Sequence, residues 1–496
     1  MRTTDDHPCP PLDLDAATRR RLWEQVTGAL DRYVVDVRSM AVAPRCGPAD
    51  VRRALEDLSP DAPLAPEQAV RLVIACMRDQ QVHAAHPGYF GLFVPAPAAI
   101  GVVAEALAAG FNPQLASWSH APFGVEAEQW VIRVASKRLG FSQPVEGTIT
   151  TGGSEANLTS LLVALQHFFP QITTEGLNGL SPWPSMYVST EAHHSWRKAA
   201  RIAGLGDRAV RSVPCDQDFR MDVHALRRLL SEDRQHGFSP FMVVATVGTT
   251  ACGAIDPLGE LRSIAASEDL WLHADAAWGG AAALSERHRH VVAGLSDADS
   301  VTLDAHKWLS VPMGAGLFFS RHGGGLRAVF ATNPHYLPTP PTGDSVTEPF
   351  QESIQWSRRF SGLKIFLLLM TSGWAGVADA IDSCFVLGAT LKGALEARGW
   401  LVVNRTPLPV ACFRDENAPV ATPGHHAAIV GRVNNRGTSW ISPAHLDGIG
   451  EVIRACVCNY RTTSRDIDTL IDELDEGRRR EREHRSLARE RLEGRG

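Results

Sequence analysis

Lysine is nearly absent from this chain. Only Lys137, Lys198, Lys307, Lys364 and Lys392 occur, and arginine supplies the rest of the 49 basic residues. Positive charge is not in excess either. The formal net charge is −6, which argues against a general nucleic-acid binder. The first residues, MRTTDDHPCPPLDLD, hold no apolar core behind a basic flank, so no secretory signal is expected. The most apolar windows, IGVVAEALAAGF and FMVVATVG, are short, which predicts no membrane-spanning helix. Cysteine follows no framework. The nine thiols are odd in number and irregularly spaced, and most sit among apolar neighbours. They read as reduced thiols in a cytoplasmic protein. Cys456 and Cys458 share one strand face, but no second Cys/His pair has zinc-like spacing, so no metal site is predicted.

What remains is the composition of a globular protein, 44% hydrophobic and 21% charged. Apolar residues recur at helical spacing in RRLWEQVTGALDRYVVDV and PEQAVRLVIACMRDQ, which predicts a helical N-terminal segment over residues 1–90. Strand and helix patterns then alternate. EGTITTGGSEANLTSLLVAL reads as strand, glycine turn and helix, and SMYVSTEAHHSWRKAARIAG as strand, loop and helix. PFMVVATVGTT, DLWLHADAAWGG and DSVTLDAHKW are three further apolar strands, with GAGLFFSR a short fourth. Such alternation predicts an α/β domain over 91–379 with a mostly parallel central sheet covered by helices. Residues 331–352 are proline-rich and aperiodic, the pattern of a long surface loop. A smaller α/β unit is expected over 380–475, with strands WLVVN, VACFR, AAIVGRV and VIRACVCNY, then a charged tail over 476–496.

In open α/β sheets ligands bind beyond the carboxyl ends of the strands. The chemically interesting residues fall at those ends. Lys307 follows DSVTLDAH, where a desolvated amine can attack an aldehyde. Asp275 ends WLHAD, where a carboxylate needs a cationic partner such as a protonated pyridine nitrogen. Ala276 and Ala277 would let a flat ring approach the backbone. Gly152, Gly153 and Ser154 stand where a strand turns into a helix, a place that favours an anion. This turn matches neither the nucleotide P-loop nor the dinucleotide fingerprint. His193 could stack on a ring, and Thr249 and Thr250 could bond to a cofactor. Taken singly, each has a plainer reading: a snorkelling lysine, a capping Asp or Ser, a packed histidine, a self-stabilised turn.

Their order and spacing are more specific. GGSEAN, HADAAWGG and DSVTLDAHKW together resemble the group II pyridoxal-phosphate-dependent amino-acid decarboxylases, over residues 80–465. The resemblance implies a type I pyridoxal-phosphate transferase fold, a homodimer and a small-molecule amino-acid substrate. It implies that Lys307 holds pyridoxal 5'-phosphate as an internal aldimine and that Asp275 pairs with the pyridinium nitrogen. Ala277 then lies under one ring face and His193 on the other. Gly153, Ser154 and His306 are similar to the family's phosphate-side residues, and Thr250 to a threonine near the cofactor. Where relatives often carry Asn, this chain has Asp304, which is given no phosphate contact because it would repel one.

The loop departs from the pattern. Phe350 falls at or beside the position of the tyrosine that protonates Cα in the family's decarboxylases, and Tyr336 is the loop's only tyrosine. If Tyr336 supplies the proton, the chain is a decarboxylase. If no acid is there, relatives with Phe resemble aldehyde synthases, which use O2 and deaminate oxidatively. An inactive binding protein of the same fold is the reading from another class. Tyr89, Phe90, Phe93 and Trp118 could line an aromatic or otherwise apolar substrate pocket, although Ala116 replaces an aromatic residue. A carboxylate clamp of the kind other enzymes of this fold use would fall to Arg454 or Arg461.

Overall fold

The computed structural model describes residues 12–332, 346–416 and 424–493. Seven strands build one sheet: β1 (Glu146–Thr150), β2 (Trp183–Ser189), β3 (Val210–Val213), β4 (Phe238–Thr246), β5 (Trp271–Asp275), β6 (Ser300–Asp304) and β7 (Gly316–Ser320). Their order across the sheet is β1-β7-β6-β5-β4-β2-β3. The run from β3 to β6 is parallel, while β7 is antiparallel to both β6 and β1. Two reversals return β1 to the direction of β6. The carboxyl ends of β1, β2, β4, β5 and β6 therefore share one edge, and the site lies there.

The central strands read as continuous apolar runs because both faces are covered. Along β4, Val243 and Ala245 pack into one core and Met242 and Val244 into the other. The first core takes in the helix Pro122–Leu139 and the helix Leu258–Glu268; the second takes in Gly153–Phe168 and Ser195–Ile202. Each fully buried Leu or Val contributes about 1.5–3 kcal/mol of transfer free energy, so two such cores hold the strand ends in fixed register.

A second sheet of order β10-β11-β9-β8 is antiparallel throughout, with β8 (Trp400–Val402), β9 (Val410–Asp415), β10 (Ser442–Leu446) and β11 (Gly450–Cys456). The expected strand AAIVGRV is instead part of the helix His425–Asn434. Ile429, Val430 and Val433 face the core at helical spacing, and a short apolar run of this kind fits either period. The fourth strand is the half-polar SPAHL of β10, which carries too little hydrophobic signal to be read as one. Residues 476–493 of the expected charged tail lie within the helix Ser464–Glu493.

The N-terminal segment is helical, with Ala16–Asp36, Pro48–Glu56 and Pro66–Asp79. It is pinned to the second sheet's loops. Val42 N–H donates to Gly437 O at 2.8 Å, Phe90 N–H donates to Trp440 O at 2.8 Å, and Tyr89 stacks on Trp440 at 5.3 Å.

One helix goes beyond the short apolar windows noted above. The helix Leu363–Ala397 is, by length and composition, long and apolar enough to cross a membrane. Its backbone is broken at Gly373 (φ 60°, ψ −176°), a conformation only glycine adopts without strain. Leu368, Ile381 and Phe385 on it pack into the protein core. Those contacts give it a packing role within the fold.

Candidate active site

The turn after β1 opens the helix Gly153–Phe168. Gly152 sits at φ 153°, ψ 178°, a region closed to residues with a side chain. A Cβ on Gly153 would lie 2.9 Å from Asp304 Oδ2 and 3.3 Å from the Ala277 methyl. The turn therefore passes directly over the ends of β5 and β6, with the peptide N–H groups of a helix start beside it. Glu155, in that first turn, has its carboxylate drawn aside. It accepts from Thr151 N–H at 2.9 Å, Thr151 Oγ1 at 2.6 Å and Gln355 Nε2 at 2.8 Å.

Asp275 is 5% exposed at the end of β5. Its two oxygens are treated unequally. Oδ2 accepts from Asn157 Nδ2 at 2.8 Å and from Trp196 Nε1 at 3.2 Å. Oδ1 receives only a long contact from Ala277 N–H, at 3.4 Å. One oxygen is tied into the protein and the other is left for a ligand. Beneath it on the same strand, His273 is fully buried among Ser160 Oγ and Ser300 Oγ, both 2.8 Å from Nδ1. Burial pushes this imidazole down to about 4, so it is neutral at physiological pH.

Lys307 lies in the loop after β6, with its side chain part-buried. Its Nζ is 3.1 Å from Asp304 Oδ2. Asp304 is 3% exposed, and its Oδ1 has no hydrogen-bond partner among the described residues. The aspartate thus faces the lysine. His306 Nδ1 bonds to Ala315 O at 3.1 Å, and desolvation holds its pKa below the ordinary histidine value against the opposing pull of Asp304. Lys364 braces the far side of this loop. It is buried, donates to Met313 O at 2.8 Å and pairs with Glu105 at 2.5 Å.

A cavity of about 310 Å³ gathers these groups. Gly153, Ser154, His193, Thr250, Asp275, Ala277, His306 and Lys307 all line it. Eight residues singled out from five separated stretches of chain meet in one place. Phe350 does not join them. It is buried against Trp356 at 5.0 Å, and its N–H donates to Ala116 O at 2.9 Å. Tyr336 lies outside the described residues. Of the suggested pocket aromatics only Phe93 lines the cavity, stacked on Trp278 at 3.9 Å. Arg454 sits behind it, 4.7 Å from the Phe93 ring centroid, donating to Thr250 O at 3.0 Å and Ala251 O at 3.1 Å. Neither Arg454 nor Arg461 is among the lining residues.

Asn157, Thr246 and Trp278 also line the cavity and escaped the sequence reading. A signal for Asn157 was present, because it stands four residues after Gly153 on one helical face. Buried Asn157 Oδ1, Thr246 Oγ1 and Asp304 Oδ1 have no partner among the described residues. The glycine turn at a helix start suits the phosphate of a ligand, and the orphaned buried oxygens suit the polar groups of its ring. An acidic oxygen and an amine at the carboxyl ends of adjacent parallel strands suit a pyridine aldehyde in particular.

Residues 48–416 match the family model described as the pyridoxal-dependent decarboxylase conserved domain. The chain belongs to the pyridoxal-dependent decarboxylases. It is a carboxy-lyase that acts on amino acids, and its cofactor is pyridoxal phosphate. It is 32% identical over 463 residues to an aromatic-L-amino-acid decarboxylase of Bacillus atrophaeus, covering 92% of this chain and 94% of that one. It is 33% identical over 318 residues to an L-aspartate decarboxylase of Metarhizium robertsii, 63% of each chain. Among solved structures it superposes on mouse CSAD with a TM-score of 0.87 at 25% identity, over 94% of this chain and 99% of that one. Oryza sativa TDC with PLP and tryptamine gives a TM-score of 0.88 at 24% identity, with the same coverage. The family's type I α/β fold is the one described above.

Proposed function

We propose that the enzyme decarboxylates an L-amino acid with an aromatic or other apolar side chain and releases the amine. The observation that carries this reading is the cavity wall. Among the described residues lining it, Lys307 is the only lysine or arginine, and the stacked Phe93 and Trp278 form its apolar side. A substrate with an acidic side chain would need a second cation to offset its desolvation. Arg454 lies in the second sheet with its guanidinium over the Phe93 ring, and Phe93 itself lines the cavity.

When bound, pyridoxal phosphate supplies an aldehyde for amine condensation and an electron-poor ring that accepts the electrons of the broken Cα–carboxylate bond. The chain's residues divide the remaining work. Lys307 would hold the cofactor between turnovers and give it up to the substrate amine. Asp275 turns Oδ1 to the ring nitrogen and keeps a proton there. Ala277 would give the ring a flat floor, and His193 would cover the opposite face. Gly153, Ser154 and His306 hold the phosphate, and Thr250 borders the cavity.

A second reading has its own support. No tyrosine lines the cavity among the described residues, and Phe350 is packed away from it. Without an acid at Cα, O2 would divert the reaction to an aldehyde. One experiment separates the readings. The enzyme is incubated with a panel of L-amino acids that includes aspartate, while CO2, amine, aldehyde, H2O2 and oxygen uptake are followed. Amine and CO2 in equal amounts from an aromatic or aliphatic substrate, with no oxygen uptake, are expected. Aldehyde with H2O2 would favour the oxidative reading, and turnover of aspartate alone would overturn the apolar one.

We further propose that the enzyme acts as a homodimer. The helices Ala16–Asp36 and Pro66–Asp79 bury none of their side chains, and they flank an apolar groove of about 570 Å³. Trp23, Val35, Val73 and Met77 are exposed there or beside it. A second copy of the chain would cover such a face. Sedimentation at twice the chain mass is expected.

A further inference from the structure

We infer that Ser195 and Asn157 are positioning residues that fix the tautomer of His193, leaving Nδ1 bare and placing the ring proton on Nε2, toward the cavity. The inference concerns how His193 is prepared for the role proposed above, and the geometry behind it stands apart from the substrate.

The chain of bonds begins at Asp275. Asn157 Nδ2 is 2.8 Å from Asp275 Oδ2 and 3.0 Å from Ser195 Oγ. An amide nitrogen has two hydrogens, and each goes to one of these oxygens. The flipped amide would set an oxygen against the Asp275 oxygen, two acceptors face to face, so the carboxylate decides the orientation. Ser195 Oγ accepts from Asn157 and has its own hydrogen to give. His193 Nδ1 lies 2.9 Å away. The Ser195 peptide N–H points at the same nitrogen, at 3.2 Å. A peptide nitrogen other than proline's always carries its hydrogen, so this longer contact biases Nδ1 toward accepting, and the shorter hydroxyl bond fixes it there. Two donors on Nδ1 leave the imidazole proton to Nε2.

The surroundings agree. Desolvation holds the pKa of His193 below the ordinary value, and of its neighbours Asp275 and Asp304 pull it up while Lys307 and His194 push it down. The ring is therefore a neutral donor that adds no positive charge beside the cofactor. Ser195, Trp196 and Asn157 are buried, so the relay is shielded from water over most of its length. Ser195 lies outside the sequence features that carry the family resemblance, and Asn157 ends GGSEAN.

The test is imidazole 15N NMR on full-length enzyme loaded with cofactor, labelled with [15N]histidine and free of substrate, at neutral pH. The His193 resonances are assigned by their loss in His193→Gln. The expected spectrum has Nδ1 at the shift of an unprotonated nitrogen and Nε2 at that of a protonated one. In Ser195→Ala the two shifts should move toward an average of tautomers, with kcat down about tenfold for the lost hydrogen bond. Ser195→Thr should restore both. A parent spectrum with the proton on Nδ1 would overturn the inference even if Ser195→Ala does not fold. So would an unchanged tautomer in a folded Ser195→Ala. The predicted spectrum from an enzyme that makes no amine would overturn the functional reading and leave this one standing.

Discussion

Two lysines leave the surface in different ways. Lys392, on the helix Leu363–Ala397, is part-buried and donates to Thr406 O at 2.6 Å and Leu408 O at 3.2 Å. Burial pushes its ammonium down to about 8, the kind of shift often sought in a reactive amine. Lys307 is held by a carboxylate at 3.1 Å and lies open to a cavity. Lys392 lines no cavity described here and satisfies carbonyls between a helix and a loop. A perturbed amine is therefore not enough to mark a site. What separates the two is the company at the end of β5 and β6: Asp275 with one oxygen free, a glycine turn overhead, and orphaned oxygens in the wall.

The sharpest way to break this comparison is to remove each amine. Lys307→Ala should abolish the cofactor's absorbance band in the resting enzyme and lower kcat/KM on the order of 10⁴-fold or more, read with the best substrate of the panel. Lys392→Met should leave kcat/KM within about twofold. Next in size is the acid. Asp275→Asn keeps the shape but removes the charge facing the ring nitrogen, and kcat should fall on the order of 10²–10³-fold with cofactor still bound. Trp196→Phe removes one of the two bonds to Oδ2 and should cost about tenfold in kcat, checked in the same assay.

The smaller effects lie in stability. His273 has its pKa lowered from 6.5 to about 4 in the folded protein. The unfolded chain thus binds the proton first as pH falls. The stability contribution is full above pH 6.5 and is lost progressively between about 6.5 and 4, up to about 3 kcal/mol. Asp256, raised to about 7, works in the opposite direction over much of this window, so the difference between parent and variant is the quantity to read. Urea midpoints of His273→Gln against the parent should converge as pH drops from 6.5 to 4. For Lys392 the folded pKa of about 8 lies below its ordinary 10.5, so its contribution rises with pH across that interval. Lys392→Met should therefore lose ground to the parent from pH 8 to 10.5.

Much of this was legible in the sequence because parallel strands buried on both faces leave long apolar runs, and the polar residue that ends each run stands out. Asp275, Lys307 and the Gly152–Gly153 turn are of that kind. What stayed hidden depends on contacts across the sheet. Asn157, Ser195 and Trp196 look like ordinary helix residues, and only the fold brings them to Asp275 and His193. Lys364 gives no sign in the sequence of its burial against Glu105, far away along the chain. Nor does the sequence show that Lys392 ties a helix to a loop. AAIVGRV was misassigned because β-branched residues in a short run outweigh periodicity. β10 was missed because an edge strand half open to water need not be apolar.

The most direct test of the account is to fix the cofactor where it sits. The holoenzyme is reduced with borohydride, digested, and each lysine-bearing peptide is mapped by mass spectrometry. The account predicts a stable pyridoxyl group on Lys307 in near-stoichiometric yield, with Lys392 unmodified. A pyridoxyl group on Lys392 or on any lysine other than Lys307, or none on any of the five, would contradict it.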